Sequence, residues 1–292
     1  MNTVHSQRFR PRWLAVLAAV AVVGAGTIAA MTITVPPASA ATTAGCGKTP
    51  TLHNGSYTIQ SSGQSRSFIL RIPDGYSNAR PYRLIFGYHW RGGTMNDVAS
   101  GGSSGTAWSY YGMQQQSNNS AILVAPQGIG NGWPNTNGQD IAFVRAALAW
   151  MNANYCIDQA RVFSVGFSYG GIMSHTIACE MSDTFRAVAP MAGARFGRSN
   201  NCLTHPIAAW MTHGTMDTSS SGGVDFSAGE SARDRVVTLN HCTTTTAAVD
   251  PSPCVAYQGC DAGYPVHWCP HPGAHTIPSF AAAAVANFFN QF

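Results

Sequence analysis

The chain is 292 residues long, with 10% charged side chains, Lys48 as its one lysine and a formal net charge of +4. Three of its 16 basic residues, Arg8, Arg10 and Arg12, lie ahead of an apolar stretch that runs from Trp13 to about Val35, and without them 13 basic residues face 12 acidic ones. So neutral a surface has no electrostatic footprint for nucleic acid or an anionic membrane, and it excludes selection of a substrate by long-range charge.

The basic cluster, the apolar stretch and Ala38-Ser39-Ala40 together read as an export signal over residues 1–40, with the mature chain starting at Ala41. The stretch is also long enough to span a bilayer, so a retained anchor is the competing reading. Export followed by release is the expectation: a secreted, extracellular protein with no membrane attachment. Residues 41–292 suit one α/β domain.

Ser56–Gln60 and Ser67–Pro73 alternate around polar Ser and Gly residues and predict an antiparallel strand pair. Arg83–Tyr88 and Ala121–Pro126 are near-continuous apolar runs, as strands covered on both faces require. Ile141, Val144, Leu148 and Met151 have helical spacing over Asp140–Asn152, with Asp140 as the expected N-cap. A strand at Arg161–Val165 then meets Gly166-Phe167-Ser168-Tyr169-Gly170, and a helix follows from Gly171. Short strands are expected at Ala187–Met191 and Ile207–Met211, and an alanine-rich helix at Ser279–Phe292. Strands alternating with helices indicate a mostly parallel sheet with helices on both faces.

A G-x-S-x-G between a strand and a helix forms a turn so sharp that only small neighbours fit, and it lifts the serine hydroxyl above the sheet. Ser168 is therefore the candidate nucleophile. It needs a histidine to take its proton and a carboxylate to hold that histidine, in the chain order Ser, acid, His. Asp217, in His213-Gly214-Thr215-Met216-Asp217 just beyond a strand, is the candidate acid, with Asp225 and Asp234 as rivals farther from a strand end. His275, in Pro272-Gly273-Ala274-His275 before the last helix, is the candidate base, ahead of His267 and His271. His213 reads as a structural residue near the acid loop.

Two backbone N–H groups must meet the developing oxyanion. Tyr169, directly after the serine, supplies one; the loop His89-Trp90-Arg91-Gly92-Gly93 supplies the other, from Trp90 or Arg91. Trp90, Trp133 and Tyr169 are candidate substrate-binding rings, and Trp108, Tyr110 and Tyr111 lie in loops that would also flank the serine.

All eight cysteines lie beyond residue 40, which predicts up to four disulfides in an exported chain, with Cys179–Cys202 and Cys254–Cys260 as local closures. His267, Cys269, His271 and His275 are side chains that zinc accepts, but oxidised cysteines and a catalytic His275 leave no metal site there. Residues 218–278, rich in Thr, Pro and Cys, are expected to be disulfide-stapled loops.

The segments Cys242–Thr246, Pro251–Cys260, Gly263–Cys269, Gly273–Phe280 and the His-Gly-x-x-Asp at 213–217 resemble the secreted feruloyl esterases of carbohydrate esterase family 1, a group related to polyhydroxybutyrate depolymerase-like esterases. The resemblance runs from Cys46 to Phe292. It implies an α/β-hydrolase fold, a Ser168–Asp217–His275 triad, no cofactor, and a monomer acting on ester-linked plant cell-wall polysaccharide or another polymer. Hydroxycinnamoyl esters are the implied substrates. A polyester depolymerase or an acetyl-xylan esterase would use the same triad. A secreted binding protein on this scaffold would lack one of the three residues, and all three are present. Trp90 departs from the usual glycine of the oxyanion loop.

Overall fold

The computed structural model describes residues 43–51, 53–194, 202 and 205–292. The expected export segment, 1–40, lies outside the described residues.

The predicted strands form one side of a ten-stranded sheet and most of its centre: β1 (Gly55–Ser61), β2 (Gln64–Arg71), β3 (Tyr82–Tyr88), β4 (Ala121–Pro126), β5 (Ile157–Phe167), β6 (Ala187–Met191) and β7 (Ala208–Gly214). β8 (Thr246–Ala248), β9 (Val255–Tyr257) and β10 (Val266–His271) complete it, in the order β1-β2-β4-β3-β5-β6-β7-β10-β9-β8. The six strands from β4 to β10 in that order are parallel; β1 and β2 at one edge and β9 and β8 at the other pair antiparallel.

The helices are α1 (Met95–Ser100), α2 (Met113–Gln116), α3 (Gln139–Asn154), α4 (Tyr169–Glu180), α5 (Phe226–Leu239) and α6 (Ala281–Phe289). The pleat sorts the central strands between two cores. Leu84, Phe86 and Val162 face a layer shared with Val144, Ile177 and Val236, from α3, α4 and α5. Ile85, Phe163 and Val165 face a second layer with Val98, Met113 and Phe289, from α1, α2 and α6. Apolar on both faces, these strands must be covered twice, which is why they read as continuous runs. The expected mostly parallel sheet with helices on both faces is present.

Three local expectations are corrected. Asp140 is not the N-cap of α3; Gly138 is, without a side-chain cap bond. The Asp140 carboxylate is instead fully buried, 2.7 Å from the Arg66 guanidinium, and it accepts the Asn135 N–H at 2.7 Å. Cys254 pairs with Cys269, not with Cys260, which pairs with Cys242; Cys46–Cys156 and the expected Cys179–Cys202 complete the set. The reason is strand pairing. β9 is extended between Cys254 and Cys260, and its antiparallel register sets Val255 opposite Trp268, bringing Cys254 to Cys269. Residues 218–278 are stapled by two disulfides as expected, but they also hold α5 and three strands.

Candidate active site

The carboxyl ends of the parallel strands put Ser168, Asp217 and His275 along one edge of the sheet. The chain places β4 on one side of β3 and β5 on the other, so the loops after these strands open a crevice at that edge. Ser168 occupies the one-residue turn between β5 and α4, with φ 57° and ψ −117°. An L-residue there is strained, which is typical of a site that fixes a side chain for chemistry. The turn closes only around glycine. A Cβ on Gly166 would lie 2.3 Å from the Gly170 carbonyl oxygen, one on Gly170 1.9 Å from that of Tyr88, and one on Gly171 2.6 Å from that of Met191. The Ser168 N–H donates to the Met191 carbonyl at 2.9 Å, tying the elbow to β6.

His275 reaches this serine from the loop after β10. Its Nε2 is 2.8 Å from Ser168 Oγ and its Nδ1 is 2.7 Å from Asp217 Oδ2. A carboxylate only accepts, so Nδ1 carries the proton and Nε2 presents a lone pair to the serine hydroxyl. The loop after β7 brings the acid. Thr215 N–H donates to His271 O at 2.8 Å and Met216 N–H to Gly273 O at 3.1 Å, so the acid and histidine loops run side by side. Asp217 is 4% exposed, and its Oδ1 accepts the Val224 N–H at 3.1 Å.

The rivals lie elsewhere. Asp225 accepts from the N–H and hydroxyl of Ser219, and Asp234 is an exposed partner of Arg233. His267 packs on Phe288, and His271 is buried with its Nδ1 accepting the Gly273 N–H. Cys269 is in a disulfide, and among the described residues no group of three or more His, Cys, Asp or Glu is arranged to hold a metal ion.

The loop after β3 is fixed by its neighbours. Tyr111 donates to Tyr88 O at 2.6 Å and the Trp133 indole donates to His89 O at 2.8 Å. His89 bridges the loops: its Nδ1–H donates to Trp90 O at 2.8 Å, and its Nε2 accepts the Gly128 N–H at 2.9 Å. That tautomer is neutral, and burial lowers its pKa. Gly92 N–H donates to Asn131 O and Gly93 N–H to Trp90 O, so the two glycine amides are engaged, leaving those of Trp90 and Arg91 as candidates. Tyr169 is the first residue of α4, where the helix leaves its amides without intrahelical partners.

The aromatic expectation divides. Trp90 and Tyr169 are half-buried, their rings lying on Gly93 and Gly132. Trp133 is 2% exposed and packs against Tyr88 and His89, so it supports the loop from beneath and offers no surface to a substrate. Tyr110 and Tyr111 are likewise buried. Ile129 and Met216, which the sequence reading passed over, are the large apolar side chains left exposed among the described residues, and both stand on loops of this edge.

Burial keeps His175, His213 and His271 below the ordinary histidine pKa, His175 down to about 3. The unfolded chain therefore takes up protons first, so the stability present above about pH 6.5 is lost as the pH falls below it. By pH 5 His175 alone costs about 2 kcal/mol, which corresponds to a melting temperature lower by about 4–8 °C. Calorimetry at pH 7 and pH 5 checks this, and an unchanged or higher Tm at pH 5 counts against it.

Residues 130–237 match the prolyl oligopeptidase family, a span that includes Ser168 and Asp217 and stops before His275. Feruloyl esterase D of Neurospora crassa is 38% identical over 275 residues, covering 87% of this chain and 92% of that protein. Feruloyl esterase C of Emericella nidulans is 37% identical over 246 residues, covering 82% and 85%. Among solved structures, an acetyl xylan esterase from Aspergillus awamori superposes with a TM-score of 0.62 at 14% identity, covering 81% of this chain and 99% of that one, a likeness of fold. The chain has the α/β-hydrolase fold and belongs to the feruloyl esterase family.

Proposed function

We propose that the chain is a secreted serine esterase that hydrolyses hydroxycinnamoyl esters of plant cell-wall polysaccharide, with Ser168, His275 and Asp217 as its catalytic triad. The observation that carries this reading is the identity to feruloyl esterases over most of both chains, joined to a hydrogen-bonded Ser168–His275–Asp217 relay. Four disulfides and the export pattern of residues 1–40 support an extracellular enzyme. Among the described residues no helix is long and apolar enough to cross a membrane.

Ser168 Oγ attacks the ester carbonyl while His275 Nε2 takes its proton, and Asp217 stabilises the imidazolium that forms. The tetrahedral oxyanion lies between the Tyr169 N–H and that of Trp90 or Arg91, donors already held in place before reaction. Collapse breaks the ester C–O bond, and His275 returns the proton to the leaving alcohol. Water then attacks the acyl-serine, giving its proton to His275, and the acid is released as Ser168 recovers its own. Trp90 and Tyr169 provide half-buried rings on which a planar phenolic acyl group would stack, and Ile129 and Met216 extend an apolar rim.

Hydrolysis of methyl ferulate, an aryl acetate and a hydroxyalkanoate oligomer by the purified protein tests the substrate class. Methyl ferulate is expected to be cleaved with the highest kcat/KM. Activity confined to the oligomer would replace the hydroxycinnamoyl reading with polyester hydrolysis, and inactivity on all three would favour a binding role.

A further inference from the structure

His213 is a buried histidine at the acid that the reaction scheme above does not use. It lies in β7, four residues before Asp217, and is 1% exposed. Its Nε2 is 2.8 Å from the Val224 carbonyl oxygen and 3.1 Å from Asp217 Oδ2. Both neighbours are acceptors, so Nε2 carries the proton and, in the neutral ring, Nδ1 is a bare lone pair. Nδ1 is buried with no hydrogen-bond partner among the described residues, and it faces α5, where a Cβ on Gly229 would come within 2.3 Å.

These contacts close a cycle. Val224 N–H holds Asp217 Oδ1, Val224 O receives the His213 proton, and the same proton faces Asp217 Oδ2. Oδ2 is also the oxygen that receives His275 Nδ1–H at 2.7 Å. Without His213 the carboxylate would keep the Val224 N–H on Oδ1 and only the mobile His275 ring on Oδ2, with nothing fixed in the fold to hold that second oxygen in plane.

We propose that His213 is a positioning residue: with its Nε2–H held by the Val224 carbonyl and lying 3.1 Å from the Asp217 oxygen that His275 uses, it fixes the plane of the carboxylate and draws on its charge. This rests on the Ser168–His275–Asp217 reading. A carboxylate whose charge is divided between two donors stabilises each less, so removing His213 leaves more of that charge for the His275 imidazolium. The groups facing His213 are Asp217 and His275 from the two loops, His175 from α4 and His271 from β10. Burial disfavours a charged His213, so it acts as a neutral donor and adds no cation beside His275.

The test compares His213→Leu, His213→Gln and Gly229→Ala with the wild type and Ser168→Ala. In His213→Leu, kcat is expected to fall roughly 10- to 100-fold, the cost of a misplaced catalytic group, with KM changed by less than about twofold. The acid limb of kcat/KM should move to higher pH by about half a unit. Glutamine, which offers an N–H at the same place, should recover most of kcat and return the limb. Gly229→Ala, which presses on the His213 ring from α5, should move kcat and the limb in the same direction as leucine.

A residue that only fills space would change Tm and leave the limb of the folded enzyme in place. A folded His213→Leu with wild-type kcat and acid limb overturns the proposal; if that variant does not fold, an unmoved limb in Gly229→Ala does the same. An inactive Ser168→Ala beside unmoved His213 variants removes this proposal alone, whereas a fully active Ser168→Ala removes the triad reading on which it rests.

Discussion

Ser168→Ala is expected to lower kcat for methyl ferulate by roughly 10⁴- to 10⁶-fold while leaving the fold and its Tm nearly unchanged. In the proposed reaction the hydroxyl is the group that forms the acyl-enzyme. Its hydrogen bond runs to His275 Nε2, so its removal leaves no donor stranded in the core. The strain at φ 57° belongs to the backbone of the elbow and is shared by alanine. The Tyr169 amide and the loop after β3 are untouched, so a residual rate above that of water should remain, supplied by binding and the oxyanion donors. Steady-state kinetics with calorimetry on the same preparation decides the matter. A folded variant with wild-type turnover would falsify the role of Ser168.

Asp217→Asn should cost about 10⁴-fold in kcat. Two hydrogen bonds reach this carboxylate, from Val224 N–H on Oδ1 and His275 Nδ1–H on Oδ2, and His213 Nε2 stands 3.1 Å from Oδ2. An asparagine has one acceptor oxygen for them. If that oxygen meets Val224, the amide N–H groups face His275 Nδ1 and demand a lone pair there. The imidazole then carries its proton on Nε2, pointing at Ser168, and is unable to take another. If the amide is turned, its N–H groups meet the Val224 N–H inside a buried site, so stability falls as well, and the neutral oxygen left to His275 carries no charge to stabilise the imidazolium. Either way kcat drops, and the Tm shift reports which orientation is adopted. A loss smaller than about tenfold would remove Asp217 from the relay, since an oriented carboxylate beside a catalytic histidine is worth far more.

Much of the fold is legible along the chain because its signals are local. Leu84-Ile85-Phe86 and Val162–Val165 read as strands covered on both faces, and each is sandwiched between two helical layers. The G-x-S-x-G at 166–170 marks the elbow because backbone approaches of about 2 Å, measured from a would-be Cβ, admit glycine alone. Asp217 and His275 are legible from chain order and position after strands, and the fold brings both to Ser168. α5 is harder to see: its buried face is Gly229, Ala232, Val236 and Val237, too thin an apolar stripe among Ser, Arg and Asp to stand out. Asp140 shows the opposite failure. It sits where a cap is expected, but Arg66, 74 residues earlier, supplies a charge partner that no local pattern reveals.

The sequence by itself determined the strand–elbow–helix unit and pointed to Ser168, Asp217 and His275 as the residues that meet, since glycine tolerance, apolar periodicity and chain order are written residue by residue. Only the tertiary structure decided which cysteines meet, that Trp133 lies under the loop and not beside the serine, and that His213 shares an oxygen with His275. Those outcomes depend on strand register and on atoms brought within about 3 Å from distant parts of the chain. A hydrogen bond depends on distance and direction in space, and spacing along a chain carries neither.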